Sequence, residues 1–461
     1  MDKNKIFLIN RGELEGRFDC DFYVVSQDIE LKQFVLKSFP KLKSYIKKIG
    51  TGYNNLQNNE QFGVPFLRTQ NIRPINLELE QSSYTDDERI RIVRKGNILF
   101  TRIGAGVGTV ACVHDGEFAI SDNIIFISLD DEILPKYLAI FLSSKFGEYL
   151  LNKEKRDTAR AIISYENIYN LKVPIFSKNI QQNIIDIMDK AYESKKQKEK
   201  EAQDLLDGID DYLFDKLGIK LPNEPENNIE NRTFKVGFDD IFADRLDADS
   251  YTSYYQNIFE AFEKSSCKFT TLKTITKKIK TGTTPDQKVD AFTIEKEIPF
   301  LRNSDIQNGE IIEDKFKYIK NDLDKHLTFS YKNEIIICIA GTIGISALNR
   351  FERLAINQNV SSLTIDETQI NINFLIYWLN TKVAINLLKR LASIATIAYV
   401  NNPTLLRLQI PLPDITIQNE IANEIKQKRQ KAKQLQNEAK EELENAKKEV
   451  EKIILGDNYE C

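Results

Sequence analysis

LKSYIKKIGTG at residues 42–52 returns as LKTITKKIKTG at 272–282, and five further segment pairs keep the same order. RFDCDFY (17–23) pairs with RLDADSY (245–251), and VPFLRTQNI (64–72) with IPFLRNSDI (298–306). GNILFTRIGAGVG (96–108) pairs with NEIIICIAGTIG (333–344), AISDNIIFI (119–127) with AINQNVSSL (355–363), and LKVPIFSKNIQQNII (171–185) with LQIPLPDITIQNEIA (408–422). The offset grows only from 228 to 237 residues along the series. Ordered matches at one near-constant offset are the signature of internal repetition, so the chain is read as a tandem duplication.

Each copy opens with a section rich in β-formers and turn signals, such as Thr51-Gly52 and Thr284-Pro285, and short helical stretches interrupt it at 134–151 and 372–391. A long charged helix closes each copy. The first places Ile184, Met188, Ala191, Ala202, Leu205, Ile209 and Tyr212 at alternating steps of four and three, interrupted by Lys195 and Lys198. The second carries Ile421, Ile425, Ala432, Leu435, Ala439, Leu443, Ala446, Val450 and Ile453. Such stripes are coiled-coil-like, and two in one chain favour an intramolecular pair over a homodimerisation coil. The expected fold is α+β: two duplicated β-rich domains (1–178 and 236–414), two long helices (179–217 and 415–456) and a linker at 218–235.

Composition narrows the function classes. The 461 residues are 41% hydrophobic, with 64 basic and 68 acidic side chains and a net charge of −4. That balance argues mildly against a chain that binds DNA tightly by itself, because phosphate contacts need a local surplus of cations. It leaves room for a basic face or a partner that supplies charge. No apolar run reaches the ~18 residues of a membrane span, and the first residues lack signal-peptide features, so a cytoplasmic location is expected. Cys20, Cys112, Cys267, Cys338 and Cys461 are scattered, and neither His114 nor His326 has a ligand-type neighbour at metal spacing. Disulfides and zinc are not expected.

Three motifs imitate catalytic sites. Gly104, Gly106 and Gly108 follow a strand, but Thr109 stands where the third glycine of a dinucleotide loop belongs, and the second copy keeps only Gly341 and Gly344. A tight hairpin explains both copies. Pro413-Asp414 with Glu424 and Lys426 resembles a nuclease signature, yet on a helix residues two apart point to opposing sides. Asn402-Pro403-Thr404 lacks the second proline and aromatic of a base-holding loop. No GxxxxGK[ST] phosphate loop occurs. The expectation is a chain with no catalytic or metal site.

Recognition chemistry remains. In both copies Pro-Phe-Leu-Arg runs into polar residues: Arg68, Thr69, Gln70 and Asn71, then Arg302, Asn303, Ser304 and Asp305. Arginine can bond guanine bidentately, Asn or Gln can do so for adenine, and Asp accepts from cytosine. Thr101 and Arg102 sit at the hairpin of the first copy and Thr342 at that of the second. Ser121 and Asn123, with Asn357, Gln358 and Asn359, supply further short polar groups on a turn. Copies that share an apolar framework but differ in polar loops suit two modules reading different words.

This pattern resembles the specificity subunit of Type I restriction-modification systems over essentially the whole chain. The resemblance rests on the boxes Arg17, Asp19, Asp21, Tyr23 and Arg245, Asp247, Asp249, Tyr251, on the Pro-Phe-Leu-Arg strands, and on the hairpin at 96–104. It rests also on the exit pattern Leu-x-[Ile/Val]-Pro before Gln181-Gln182 and Gln418. The second copy departs from it with Asn333 for the hairpin glycine and Ile339 for Arg102. The resemblance implies two target-recognition domains, long helices packed as an antiparallel spacer, and a bipartite double-stranded DNA target. It further implies two adenine-methyltransferase subunits binding S-adenosylmethionine, and restriction subunits using ATP and Mg, with no cofactor in this chain. Three alternatives stay open at this point. They are a recognition chain of a related Type II-like or phage-exclusion system, a free-standing nucleic-acid enzyme, and a coiled-coil protein scaffold.

Overall fold

The computed structural model describes residues 28–55, 57–80, 82–104, 106–154, 162–223, 226, 228–233, 235–237, 251–285, 290–307, 309–392 and 398–456. Arg17, Asp19, Asp21, Tyr23, Arg245, Asp247 and Asp249 of the two boxes lie outside the described residues; Tyr251 is buried. The chain divides into two units, one formed by 1–199 with 436–461 and the other by 200–435. The boundaries cut through both long helices, so each unit takes a segment of each.

The first described element of unit 1 is α1 (Ile29–Leu36). Its strands are β1 (Ile46–Thr51), β2 (Val64–Leu67), β3 (Ser83–Thr85), β4 (Ile92–Arg94), β5 (Ile98–Thr101), β6 (Val110–Cys112), β7 (Glu117–Ile120) and β8 (Ile124–Leu129). They form two four-stranded sheets, β1-β8-β5-β6 and β3-β2-β7-β4. All pairs are antiparallel except β2 with β7. The helices α2 (Pro135–Leu142), α3 (Lys145–Glu154) and α4 (Tyr165–Asn170) follow. Proline fits the first turn of α2, where its missing N–H costs no hydrogen bond.

Unit 2 repeats the plan. After α6 (Ser253–Lys264; α5 is the first long helix, Lys178–Lys216) come β9 (Phe269–Thr271), β10 (Thr276–Thr281), β11 (Phe292–Thr293) and β12 (Ile298–Leu301). Then follow β13 (Ile306–Gln307), β14 (Glu310–Ile311), β15 (Lys317–Ile319), β16 (Phe329–Tyr331), β17 (Ile335–Cys338), β18 (Ser346–Leu348), β19 (Arg353–Ile356) and β20 (Val360–Ile365). One sheet runs β10-β20-β17-β18 and another β11-β15-β12-β19-β16, with β12 and β19 the parallel pair. Helices α7 (Ile372–Leu379), α8 (Lys382–Leu391) and α9 (Asn402–Leu405) precede β21 (Gln409–Pro411) and the second long helix, α10 (Ile415–Leu455). The architecture is the expected α+β duplication. Each short helical stretch is in fact two helices, broken at Ser143-Ser144 and at Asn380-Thr381.

The glutamine at each long-helix start is a structural tie. Gln181 is fully buried; its Oε1 accepts from Leu134 N at 2.7 Å, and its Nε2 donates to Phe176 O at 2.8 Å. Gln418 does the same for Asn371 N and Pro413 O, both at 2.8 Å. A buried amide with both ends satisfied fixes where each helix leaves its sheet domain.

Within each unit the helix segments pair antiparallel, because partner numbers fall in α10 as they rise in α5. In unit 1, Ser194 Oγ donates to Glu442 at 2.6 Å, and Lys198 Nζ reaches Glu438 at 3.1 Å and Glu442 at 2.6 Å. In unit 2, Ala202 packs with Ala432 and Leu435, and Lys216 pairs with Glu420 at 2.5 Å. Of the two lysines that interrupt the first stripe, Lys198 is therefore used as a cross-helix ion-pair donor, while Lys195 pairs with Glu199 on its own helix. The main core of unit 1 takes Ile184 and Met188 from α5 and Val450 and Ile453 from α10. That of unit 2 takes Leu213 and Phe214 from α5 and Ile421 and Ile425 from α10.

Candidate nucleic-acid interface

In unit 1, backbone pairing brings four loops to one end of the sheets. Ser121 N donates to Leu67 O at 3.1 Å, joining the turn after β7 to the end of β2. Arg102 N donates to Asn123 O at 2.8 Å, Ile163 N to Arg102 O at 3.1 Å, and Tyr53 N to Ile120 O at 3.1 Å. Unit 2 builds the same frame. Asn357 N reaches Leu301 O at 3.1 Å, Ile339 N reaches Asn359 O at 2.9 Å, Val400 N reaches Ile339 O at 2.9 Å, and Thr283 N reaches Ile356 O at 3.0 Å. The repeated Thr-Gly is explained here. A Cβ on Gly52 would stand 1.7 Å from Ile120 O, and one on Gly282 2.2 Å from Ile356 O. Only glycine lets these backbones cross. In the hairpins, Gly104, Gly108, Gly341 and Gly344 all have positive φ, so the nucleotide-loop likeness is turn geometry.

The expected recognition residues gather at this end but do not share one role. Arg68 is exposed, its Nη2 donating to Ser83 Oγ at 3.2 Å; Thr69 is half-buried and Gln70 exposed. Asn71 corrects the expectation of a base-reading amide. It is buried; its Oδ1 accepts from Arg68 N at 2.9 Å and its Nδ2 donates to Glu78 O at 3.0 Å, so it caps the turn. Asp305 is the same cap in unit 2, fully buried, and it also grips Arg302. Arg302 Nη2 and Nε lie 2.8 and 3.1 Å from the Asp305 carboxylate, and Ser304 Oγ donates to it at 3.0 Å. The expectation of a bidentate guanine contact by Arg302 is corrected too, because its fork is already engaged by a carboxylate. Thr101 is 1% exposed at the end of β5, a framework position and no reader.

Ser121 and Asn357 are nearly buried, and Asn357 Oδ1 accepts from Asn359 N at 3.3 Å, closing a turn. Arg102, Asn123, Asn303 and Asn359 are half-buried at the rim, and Ser304, Thr342 and Gln358 are exposed. Gln358 Oε1 accepts from Thr284 Oγ1.

Sequence reasoning missed Tyr53, Arg89 and Arg91. The Arg89 and Arg91 guanidinium carbons lie 4.8 and 5.6 Å from the Tyr53 ring centroid, within cation–π range. Arg91 Nη2 also donates to Tyr53 OH at 3.4 Å. Ile120 N bonds Arg91 O at 3.1 Å as Ile356 N bonds Thr328 O at 3.0 Å, so Thr328 is the counterpart of Arg91. Thr283 stands for Tyr53, with its Oγ1 donating to His326 O at 3.2 Å. A search for shared motifs passes over residues that only one copy carries.

Among the described residues no group of three or more His, Cys, Asp or Glu side chains can hold a metal. Burial pushes the Cys112 thiol up to about 12 and those of Cys267 and Cys338 to about 11, so they stay protonated, poor nucleophiles and poor ligands. Glu424 and Lys426 lie on α10, as expected of a chance match. Asn402 spends its amide on Thr281 Oγ1 at 2.9 Å and accepts from Ser361 Oγ at 2.8 Å. Among the described residues no helix is long and apolar enough to cross a membrane.

The family model described as the Type I restriction modification DNA specificity domain matches twice, over residues 41–204 and 265–445. The chain belongs to that family. Each match spans one loop end and much of the long helix that follows it, so the specificity domain is present in duplicate and the chain is a DNA-recognition subunit. A chain from structures of the assembly and conformational transition of a type I R-M system is similar in fold. Its TM-score is 0.55 at 13% identity, covering 91% of this chain and 96% of that one. The Type I S subunit from M. genitalium aligns at TM-score 0.45 and 16% identity, over 90% of this chain and 95% of its own. The HsdS subunit from Thermoanaerobacter tengcongensis aligns at 0.42 and 13%, over 91% and 96%. The two family matches, each reaching into a long helix, account for the duplication.

Proposed function

We propose that the chain is the non-catalytic, sequence-reading subunit of a cytoplasmic Type I restriction-modification complex, each repeat reading one half of a bipartite double-stranded DNA target. The observation that carries this reading is the pair of loop ends: one backbone frame built twice and filled with different side chains. In the first repeat Arg68, Gln70, Arg102 and Asn123 supply donors and acceptors for base edges and phosphates, joined by Tyr53, Arg89 and Arg91. In the second, Asn303, Ser304, Thr342, Gln358 and Asn359 take that part. The long helices hold the two readers apart. The 39 residues of α5 span roughly 58 Å at 1.5 Å per residue, enough to reach separate stretches of major groove. The same helices dock two adenine-methyltransferase subunits, which bring S-adenosylmethionine, and ATP and Mg enter with restriction subunits. This chain binds no cofactor.

The test is a swap. Residues 18–174 are replaced by the corresponding domain of a relative, the chain is co-expressed with its methyltransferase, and methylated adenines are mapped across the genome. One half of the methylated motif is expected to change while the other half stays. If both halves change together, the repeats do not read independently and the proposal fails.

A further inference from the structure

The repeats differ again where each sheet domain meets the helix segments of its own unit. In unit 2 a cleft of about 580 Å³ opens between the β13–β14 hairpin, the turn after β18, α7 and α10. Arg350, Lys426, Arg429 and Lys433 line it around Tyr377, with Glu310 and Glu313 the acidic residues on its wall. The Arg429 guanidinium lies 4.9 Å from the Tyr377 ring centroid. Gly309 leaves it room, since a Cβ there would come within 2.9 Å of Arg429 Nη1. Among the described residues Arg350, Lys426 and Lys433 form no ion pair.

Unit 1 has a cleft at the corresponding place, about 310 Å³, lined by Arg73, Lys195 and Lys447. There each cation is already neutralised. Arg73 pairs with Glu78 at 2.7 Å, Lys195 with Glu199 at 3.4 Å and Lys447 with Glu444 at 2.7 Å. With Glu148 also on the unit 1 wall, cations outnumber acids equally in the two clefts, and what sets the unit 2 cleft apart is that Arg350, Lys426 and Lys433 form no ion pair among the described residues. Cations gathered in a concave site focus their field on it, and an anionic partner gains from all of them together.

We propose that the unit 2 cleft holds an acidic peptide segment, punctuated by apolar residues, of a partner protein. The inference rests on the reading that this chain works inside a complex, and it adds which face takes the partner and by what chemistry. Two observations favour peptide over nucleic acid. The cleft lies beyond Leu348, at the end of β18 away from the recognition hairpin at Gly341–Gly344. Its wall also carries Ile311, Leu348, Phe351 and Ile376, an apolar surface that side chains fill and phosphates do not.

The full chain is titrated with a short fluorescein-labelled peptide of Glu and Asp interspersed with Leu and Phe. Parallel arms use the same peptide with Lys for each acid, and a labelled single-stranded oligonucleotide. The acidic peptide is expected to bind, more weakly as salt rises. Arg350→Glu with Lys426→Glu should weaken it at least about tenfold, while Lys195→Glu with Lys447→Glu leaves it unchanged. If charge reversal lowers the thermal midpoint, Arg350→Gln with Lys426→Gln decides, with an expected loss of about threefold. No binding by the natural chain, equal binding by the reversed variant, or preferential oligonucleotide binding lost in that variant each overturns the proposal. None of these outcomes touches the half-site swap, so the two readings fail separately.

Discussion

Among the described residues the first repeat brings four arginines to its loop end, Arg68, Arg89, Arg91 and Arg102, where the second has one, Arg302, held against buried Asp305. Ile339 replaces Arg102, Thr328 replaces Arg91, and Thr283 replaces Tyr53, on a backbone frame that keeps its hydrogen bonds. A duplicated scaffold can therefore change the physics of its contact surface without moving its strands. The first repeat suits phosphate attraction and guanidinium chemistry. The second suits neutral amides and hydroxyls, whose contacts depend less on salt.

Paired substitutions at the two Pro-Phe-Leu-Arg termini separate the repeats most sharply. Arg302→Ala strips two charge-assisted bonds from a carboxylate that is fully buried. Breaking a buried pair costs about 3–5 kcal/mol, and the part-exposure of Arg302 brings the expectation to about 2–3 kcal/mol, read as a fall in the thermal midpoint. Arg68→Ala loses only a long hydrogen bond from an exposed guanidinium to the uncharged Ser83 hydroxyl, so stability should move by less than about 0.5 kcal/mol. DNA affinity of the assembled complex should fall by about 1–3 kcal/mol. Equal losses of stability in the two variants would erase the distinction.

Making the first repeat resemble the second is the next test. Tyr53→Thr with Arg91→Thr removes a cation and the ring it lies against. The slope of log affinity against log salt is expected to become shallower by about 1, with the preferred sequence retained. An unchanged slope would place Arg91 away from the phosphates.

The smallest effect is a difference in acid sensitivity. Glu334 in the second repeat has its Oε2 accept from Tyr331 N at 2.9 Å, where the first repeat uses neutral Asn97 with Arg94 N at 2.8 Å. Burial pulls the Glu334 pKa up, but bonds from Ser362, the Tyr331 backbone, Lys280 and Thr364 outweigh it and hold it below the ordinary glutamate value. A lowered folded-state pKa contributes stability above the unfolded value, near ~4.3, and that contribution fades as pH falls through the folded one. Glu334→Gln should cost about 1 kcal/mol at neutral pH and flatten the acid limb of unfolding. A steeper acid limb in the variant would reverse the sign of this account.

The duplication, the long helices and the loops that come together were legible because each leaves a repeated trace, from Pro-Phe-Leu-Arg to Thr-Gly. The division of labour within the loops was not. Asn71 and Asp305 are residue types that read bases and equally types that cap turns, and only the bonds to Arg68 N and Arg302 N decide between them. Arg89 and Arg91 were invisible for the opposite reason, since no second copy echoes them. Gln181 and Gln418 were noticed as a pattern, but their service as ties between two helix starts needs the fold.

The makeup of unit 1 has a consequence for biosynthesis. Its core includes Ala446, Val450, Ile453 and Leu455, and Lys145 N bonds the Glu451 side chain at 3.2 Å. Residues 200–435, which make up all of unit 2, are synthesised before those side chains exist. The repeat translated first is thus completed last. Until the last segment of α10 arrives its sheets keep an apolar face uncovered, which exposes the nascent first repeat to aggregation.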